Sequence, residues 1–262
     1  MHLPLSTTVA TNLTWLSSVG STNSELAARA QAAAHPLRDR TVIATDNQTG
    51  GRGRLDRVWI APSGTSLAVS VLIRPAKHNS QVSLLPLIAG SALAAAVREQ
   101  LPTREVAVKW PNDVLVEGKK ISGILCEIAP DGSVIVGAGL NLSMTDAQLP
   151  VPTATSLVLN GAKNPQVDTV LASYLGHLFS LTDELFASTP SGSAPTLNRV
   201  RADSATLGTA VTAHLPGGSS VTGEAIDLDG DGHLIVRSGV DGSSVTVVAG
   251  DIIHLRPATQ NE

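Results

Sequence analysis

Gln48-Thr49-Gly50-Gly51-Arg52-Gly53-Arg54-Leu55-Asp56-Arg57-Val58-Trp59 is the stretch on which the reading of this chain turns. It follows a short β-like run at residues 41–46. Arginines alternate with glycines, and a tryptophan closes the segment. Glycine lets the backbone approach a ligand closely. Arginine stays charged and holds a carboxylate or phosphate through parallel hydrogen bonds. The segment therefore suits a loop that closes over an anion. A solvated turn, or a Gly-Arg segment that binds nucleic acid, has the same local composition.

Composition narrows these alternatives. The 262 residues fit one large domain or two unequal ones. Apolar residues make up 42% and aromatic ones 2%, so alanine, valine and leucine must fill most of the core. The formal net charge is −4, which disfavours non-specific binding to DNA. A local cationic loop on a mildly acidic protein fits a small anion better than a polynucleotide, and scarce aromatics leave no stacking platforms. Cys126 is the single cysteine. It sits in the apolar run at residues 121–128 and reads as a buried, inert thiol. No apolar run in the sequence reads as a membrane span, and no secretory leader is evident, so a cytoplasmic protein without a membrane partner is expected.

Residues 1–13 read as a flexible N-terminal arm. A first strand is expected at 15–19. Gly20-Ser21-Thr22-Asn23-Ser24-Glu25 then opens an alanine-rich helix, with Thr22 and Glu25 at capping-box spacing. The polar residues there have a structural explanation as a helix start, and the free N–H groups of such a start also bind polar ligands. Strands follow at 66–73 and 106–110, separated by a helix over 84–101 with Pro86 in its first turn. Asn112-Asp113 turns into 114–116, and Glu117-Gly118-Lys119-Lys120 makes a hairpin-like turn into the Cys126 strand. Another strand runs from 133 to 138. Residues 143–164 read as loop. Asp168 is placed to cap a helix carrying Leu171, Leu175, Leu178, Leu181 and Leu185, and 188–195 reads as linker.

From residue 207 the pattern changes to short strands separated by glycine-containing turns, which suggests a small β-barrel. Asp227-Leu228-Asp229-Gly230-Asp231-Gly232 superficially matches a calcium loop, but Ser238 stands where the bidentate glutamate is required, so it reads as a hairpin turn. The histidines have no paired ligand spacing, and no metal site is expected. Gly137-Ala138-Gly139 lacks the third glycine and the following helix of a dinucleotide turn, and a P-loop motif is absent. The expected class is α+β: a mixed β-sheet core with packed helices at 14–204, a small barrel at 205–257 and a tail at 258–262.

Further motifs accompany the arginine segment: Lys109-Trp110-Pro111-Asn112-Asp113, Lys120-Ile121-Ser122-Gly123-Ile124-Leu125 and Gly137-Ala138-Gly139-Leu140-Asn141. With Ser21-Thr22-Asn23 and Gln48, they closely resemble the biotin protein ligases from Ser21 to about Asn141. The likeness continues more weakly through Ala154-Thr155-Ser156-Leu157 and the C-terminal part. It implies a catalytic domain related to the class II aminoacyl-tRNA synthetase core, followed by an SH3-like domain. Some members carry an N-terminal helix-turn-helix, which the residues before Ser21 are too few to form.

The resemblance implies that biotin attacks the α-phosphate of ATP, giving biotinyl-5′-AMP and pyrophosphate. A lysine on a biotin carboxyl carrier domain of a biotin-dependent carboxylase then displaces AMP. Mg²⁺ is expected with ATP. By resemblance Ser21, Thr22, Asn23, Gln48, Gly51, Arg52, Arg54, Lys120, Gly123 and Leu125 form the biotin site. Arg52, Arg54, Arg57, Trp59, Asn112, Lys120 and Asn141 form the nucleotide site. Arg54, Lys120, Lys109 and Asp113 lie at the reaction centre, where Lys109 and Asp113 could equally form a structural ion pair. The family loop commonly reads Gly-Arg-Gly-Arg-x-Gly-Arg. Here Asp56 replaces its last glycine, which bears on Arg57 more than on Arg52 or Arg54. A lipoate–protein ligase shares the implied fold, but the polar Ser-Thr-Asn and Gln48 set suits a ureido ring better than a dithiolane.

Overall fold

The computed structural model describes all residues except 11, 34, 56, 76–79, 188–193, 216–217, 249–250 and 255–262. In chain order the elements are α1 (Pro4–Val9), β1 (Leu13–Trp15), α2 (Thr22–Ala32), β2 (Val42–Thr45), β3 (Gly51–Arg52), β4 (Val58–Trp59) and β5 (Ser66–Ile73). Then come α3 (Leu85–Gln100), β6 (Val106–Lys109), β7 (Asp113–Val116), β8 (Lys119–Ile128), β9 (Val134–Asn141), α4 (Val167–Ala187) and α5 (Ala194–Ala202). The last strands are β10 (Ala210–His214), β11 (Ser220–Leu228), β12 (Leu234–Ser238), β13 (Ser244–Val247) and β14 (Asp251–His254).

The main sheet has the order β1-β2-β5-β9-β8-β7-β6, with β1 parallel to β2 and the other pairs antiparallel. Successive side chains of a strand point to opposite faces, and the two faces of this sheet differ in kind. On one face Val42, Ala44, Val69, Val71, Val134 and Val136 join the buried cluster that contains α3 and α4. On the other, Ile43, Leu72 and Ile135 pack against Leu26 of α2. Further along that second face the same alternation brings up Ser70, Gly137, Gly139 and Gly123, where the cavity lies. Helix α3 buries Leu85, Leu87, Ile88, Leu93 and Val97 among its twelve buried residues. The helical stretch Gln81–Gln100 is long and apolar enough to cross a membrane, contrary to the reading of the sequence, but it is a core helix, 78% buried.

The second sheet is antiparallel, in the order β13-β12-β11-β10-β14, with a bulge between Ala225 and Asp227. It docks on the first without a free linker. Residues 203–205 pair with β6: Val108 N–H donates to Asp203 O at 2.7 Å and Ala205 N–H to Val108 O at 2.8 Å. The indole N–H of Trp110 reaches Gly232 O at 2.9 Å, so the Asp-Gly turn is a hairpin tip seated on the first domain.

Several local expectations need correction. Residues 1–13 do not form a loose arm: α1 packs on α4, with Leu3, Ser6 and Ala10 buried. Asp168 does not cap its own helix. Its carboxylate accepts Leu5 N–H, Ser6 N–H and the Ser6 hydroxyl at 2.9, 2.8 and 2.7 Å, and so caps α1. The N-cap of α2 is Ser21, whose oxygen faces Ser24 N–H, while Glu25 pairs with Arg29. The first strand covers 13–15. The linker reading fails from Ala194, where α5 begins; its residues 188–193 lie outside the described residues, as do Asp56 and the 258–262 tail.

Candidate active site

The cavity over the second face of the main sheet has a volume of about 500 Å³. Its floor is rich in glycine, and at Gly137 and Gly139 a neighbouring side chain already fills the space a Cβ would take. A Cβ on Gly137 would collide with the amide of Asn23, and one on Gly139 would come within 2.7 Å of the Trp59 indole. A Cβ on Gly123 would press on Lys120 at 3.2 Å. Side chains from neighbouring elements therefore lie flat on the backbone of β8 and β9.

One wall is a closed hydrogen-bond network. Ser70 Oγ donates to Thr22 Oγ1 at 2.7 Å and is 2.6 Å from Asn23 Oδ1. Thr22 N–H donates to Gln48 Oε1 at 2.9 Å. The Asn23 amide donates to Leu125 O at 3.1 Å and to Glu127 Oε2 at 2.7 Å. Thr22, Asn23 and Ser70 are buried. The start of α2 thus serves both as a helix cap and as a pocket wall.

The opposite wall is cationic. Lys120 Nζ lies 2.7 Å from Asp113 Oδ1. Lys109 faces Asp113 across the β6–β7 ladder, yet the ion pair of Asp113 is with Lys120, so the Lys109–Asp113 alternative does not hold. Arg54 Nη1 donates to Asn112 Oδ1 at 3.2 Å, and Asn112 Nδ2 donates to Ile124 O at 2.7 Å. The Asn112 side chain thus holds Arg54 as well as lining the cavity. Arg57 also lines it, as do Trp59 and Asn141; Asn141 is buried and donates to Thr155 O at 2.9 Å. The Trp59 indole nitrogen is buried with no acceptor among the described residues, so a ligand acceptor in the cavity would satisfy it.

Of the residues singled out from sequence, all but Gly51 line this one cavity. Gly51 stands behind it, paired with Trp59, where a Cβ would strike Trp59 O and Gln48. Sequence reasoning missed Glu127 and Ser70, and also Ile252, which β14 brings to the cavity from the second sheet; it picked out Gly123 and the Gly137–Asn141 motif but gave Gly137 and Gly139 no role. Alternation from Ile135 and Leu72 would have found Gly137, Gly139 and Ser70. Cys126 faces away, toward the core. Burial, and secondarily the Glu127 carboxylate, push its thiol up to about 12, so it stays protonated and unreactive at neutral pH. His254 is lowered by burial and by Lys109.

The glycine-floored sheet with its arginine hairpin and the small antiparallel β-domain joined to it each match a known family. Residues 16–142 match the Biotin/lipoate A/B protein ligase family, and 206–255 match the Biotin protein ligase C terminal domain. The biotin–[acetyl-CoA-carboxylase] ligase of Mycobacterium tuberculosis is 37% identical over 90% of this chain and 86% of that protein. The chain belongs to the biotin protein ligases and is an enzyme of that family. Its fold is similar to that of the Aquifex aeolicus biotin protein ligase in complex with biotin and ATP, with a TM-score of 0.78 and 26% identity over 94% of this chain and 99% of that one. The Leishmania major biotin protein ligase in complex with biotinyl-5-AMP gives a TM-score of 0.63 and 26% identity over 91% and 99% of the two chains.

Proposed function

We propose that this cavity joins biotin to ATP as biotinyl-5′-AMP and passes the biotinyl group to a lysine of a biotin carboxyl carrier domain. The observation that carries this reading is the meeting of two unlike walls in one 500 Å³ space. A neutral hydrogen-bonded wall suits a ureido ring, and a cationic wall suits a carboxylate beside a phosphate.

The chemistry requires two anions to meet, and fixed positive charge makes that possible. Arg54 and Arg57 hold the carboxylate and phosphate oxygens. Lys120, aimed by Asp113, stabilises the charge that develops on the α-phosphoryl and carbonyl oxygens. Lys109 raises the local positive potential. Trp59 covers the adenine side, with Asn141 below it. Ser21, Thr22, Asn23 and Gln48 recognise the ring, with the backbone of Gly123 and Leu125 alongside. Mg²⁺ would enter with ATP as part of that substrate, held largely by its phosphate oxygens. The acceptor ε-amine, arriving neutral, attacks the acyl carbon of the mixed anhydride. The acyl–oxygen bond breaks, AMP leaves with the electron pair, and the amine loses its proton. The enzyme acts in the cytoplasm.

The test is incubation with MgATP, labelled biotin and an acceptor carrier domain. Label on the carrier, undiminished by excess lipoate, is expected. Absence of transfer, or equal competition by lipoate, would overturn the reading.

A further inference from the structure

Glu127 has no part in the chemistry proposed for the cavity, yet the hydrogen-bonded wall and the arginine hairpin meet on it. Its Oε2 accepts the Asn23 amide at 2.7 Å and Arg52 Nη2 at 2.9 Å. Asn23 is otherwise fixed by Leu125 O, by Ser70 and by the Gly137 floor. Arg52 belongs to β3, whose ladder with β4 sets Gly51 opposite Trp59 and Arg52 opposite Val58. One carboxylate oxygen thus ties the fixed wall to the arginine hairpin, and the Arg54–Asn112 contact ties the hairpin down a second time at the β6–β7 turn.

We propose that Glu127 is a positioning residue that latches the arginine hairpin closed through Arg52, so that Arg52 serves the latch while Arg54 and Arg57 face the anion. This deepens the biotin-ligase reading and, for its ligand-dependent consequence, rests on it. The side chains of Arg52 and Glu127 are 47% and 36% exposed. A pair this exposed contributes little to overall stability, so its removal leaves the fold intact. Such a pair is also screened by salt. The latch holds the hairpin firmly enough to retain an intermediate and weakly enough to reopen for the acceptor.

The test uses Glu127→Gln, Arg52→Met and the double variant, with two readouts. The first needs no ligand: tryptic cleavage after Arg54 in the folded protein, sites assigned by mass spectrometry. Each single variant is expected to raise cleavage roughly five-fold, the scale of one exposed ion pair, and the double variant no further. Salt at about 0.5 M should bring wild type up to the variants and leave the variants unchanged. Thermal midpoints should coincide, which a merely structural role would not allow alongside faster cleavage. The second readout is release of pre-formed biotinyl-AMP, expected to quicken by the same factor. Cleavage rates equal to wild type, or effects that add in the double variant, overturn the latch. A wild type that forms no biotinyl-AMP would sink the biotin reading, and the cleavage rates would still decide the latch.

Discussion

The two walls of the cavity are built on different principles. On the α2 side Thr22, Asn23 and Ser70 are buried and bonded to one another, to Gln48 and to the backbone of β8. Nothing there can move alone, and an orphaned buried group would cost free energy. On the opposite side Lys120 and Asp113 are 38% and 24% exposed and are joined by an ion pair that a ligand anion can displace. Recognition of a neutral ring asks for a rigid, preformed set of donors and acceptors. Charge that develops during a reaction asks for cations that can be re-aimed. One wall should therefore govern binding and the other should govern rate.

The largest expected effect breaks the rate wall. Lys120→Ala should slow biotinyl-AMP formation by roughly 10²–10³-fold, the scale of one lost charge-stabilising group, measured by single-turnover pyrophosphate release. Next is the floor beneath the binding wall. Gly137→Ala forces the Asn23 amide aside, and overpacking of that kind costs about 1–3 kcal/mol. Biotin affinity in calorimetry should fall accordingly, with the single-turnover rate at saturation little changed. Smaller again is Arg54→Gly, which removes the Asn112 tie and loosens the hairpin. Release of pre-formed biotinyl-AMP should quicken about ten-fold, the low end of the about 1.5–3 kcal/mol that a hydrogen bond to a charged group is worth, because the Asn112 contact is long at 3.2 Å, and a bystander protein should acquire label. The smallest is Ser70→Ala, which removes one donor shared by Thr22 and Asn23. Biotin affinity should weaken by roughly five-fold, the net worth of a typical hydrogen bond, and release of the intermediate should stay as in wild type.

How far the sequence revealed these walls depended on the kind of signal. The motifs of the cationic wall were plain because arginine, lysine and glycine cluster locally in the chain. The central strands were plain from their apolar runs. Glu127 was not: its partners Asn23 and Arg52 lie 104 and 75 residues away, and its importance exists only in the folded pairing. The role of Asp168 was misread for the same reason. Local spacing offered it a cap on α4, but the free N–H groups of α1, 162 residues distant, take its carboxylate. The order of residues 1–13 was missed because the anchor of α1 lies on another helix. The choice of Lys120 over Lys109 as partner of Asp113 depends on the fold back of β8 beside β7, which residue spacing alone did not decide.

The division between the walls is tested most directly by equilibrium binding of biotin alone, without ATP, to Lys120→Ala and Asn23→Ala measured side by side in a calorimeter. The account predicts that Lys120→Ala binds biotin within about two-fold of wild type, because its charge acts on the developing transition state. It predicts that Asn23→Ala loses about ten-fold, because the amide that bridges Ser70, Leu125 O and Glu127 in the fixed wall is gone. Equal losses in the two variants, or a greater loss in Lys120→Ala, would contradict it.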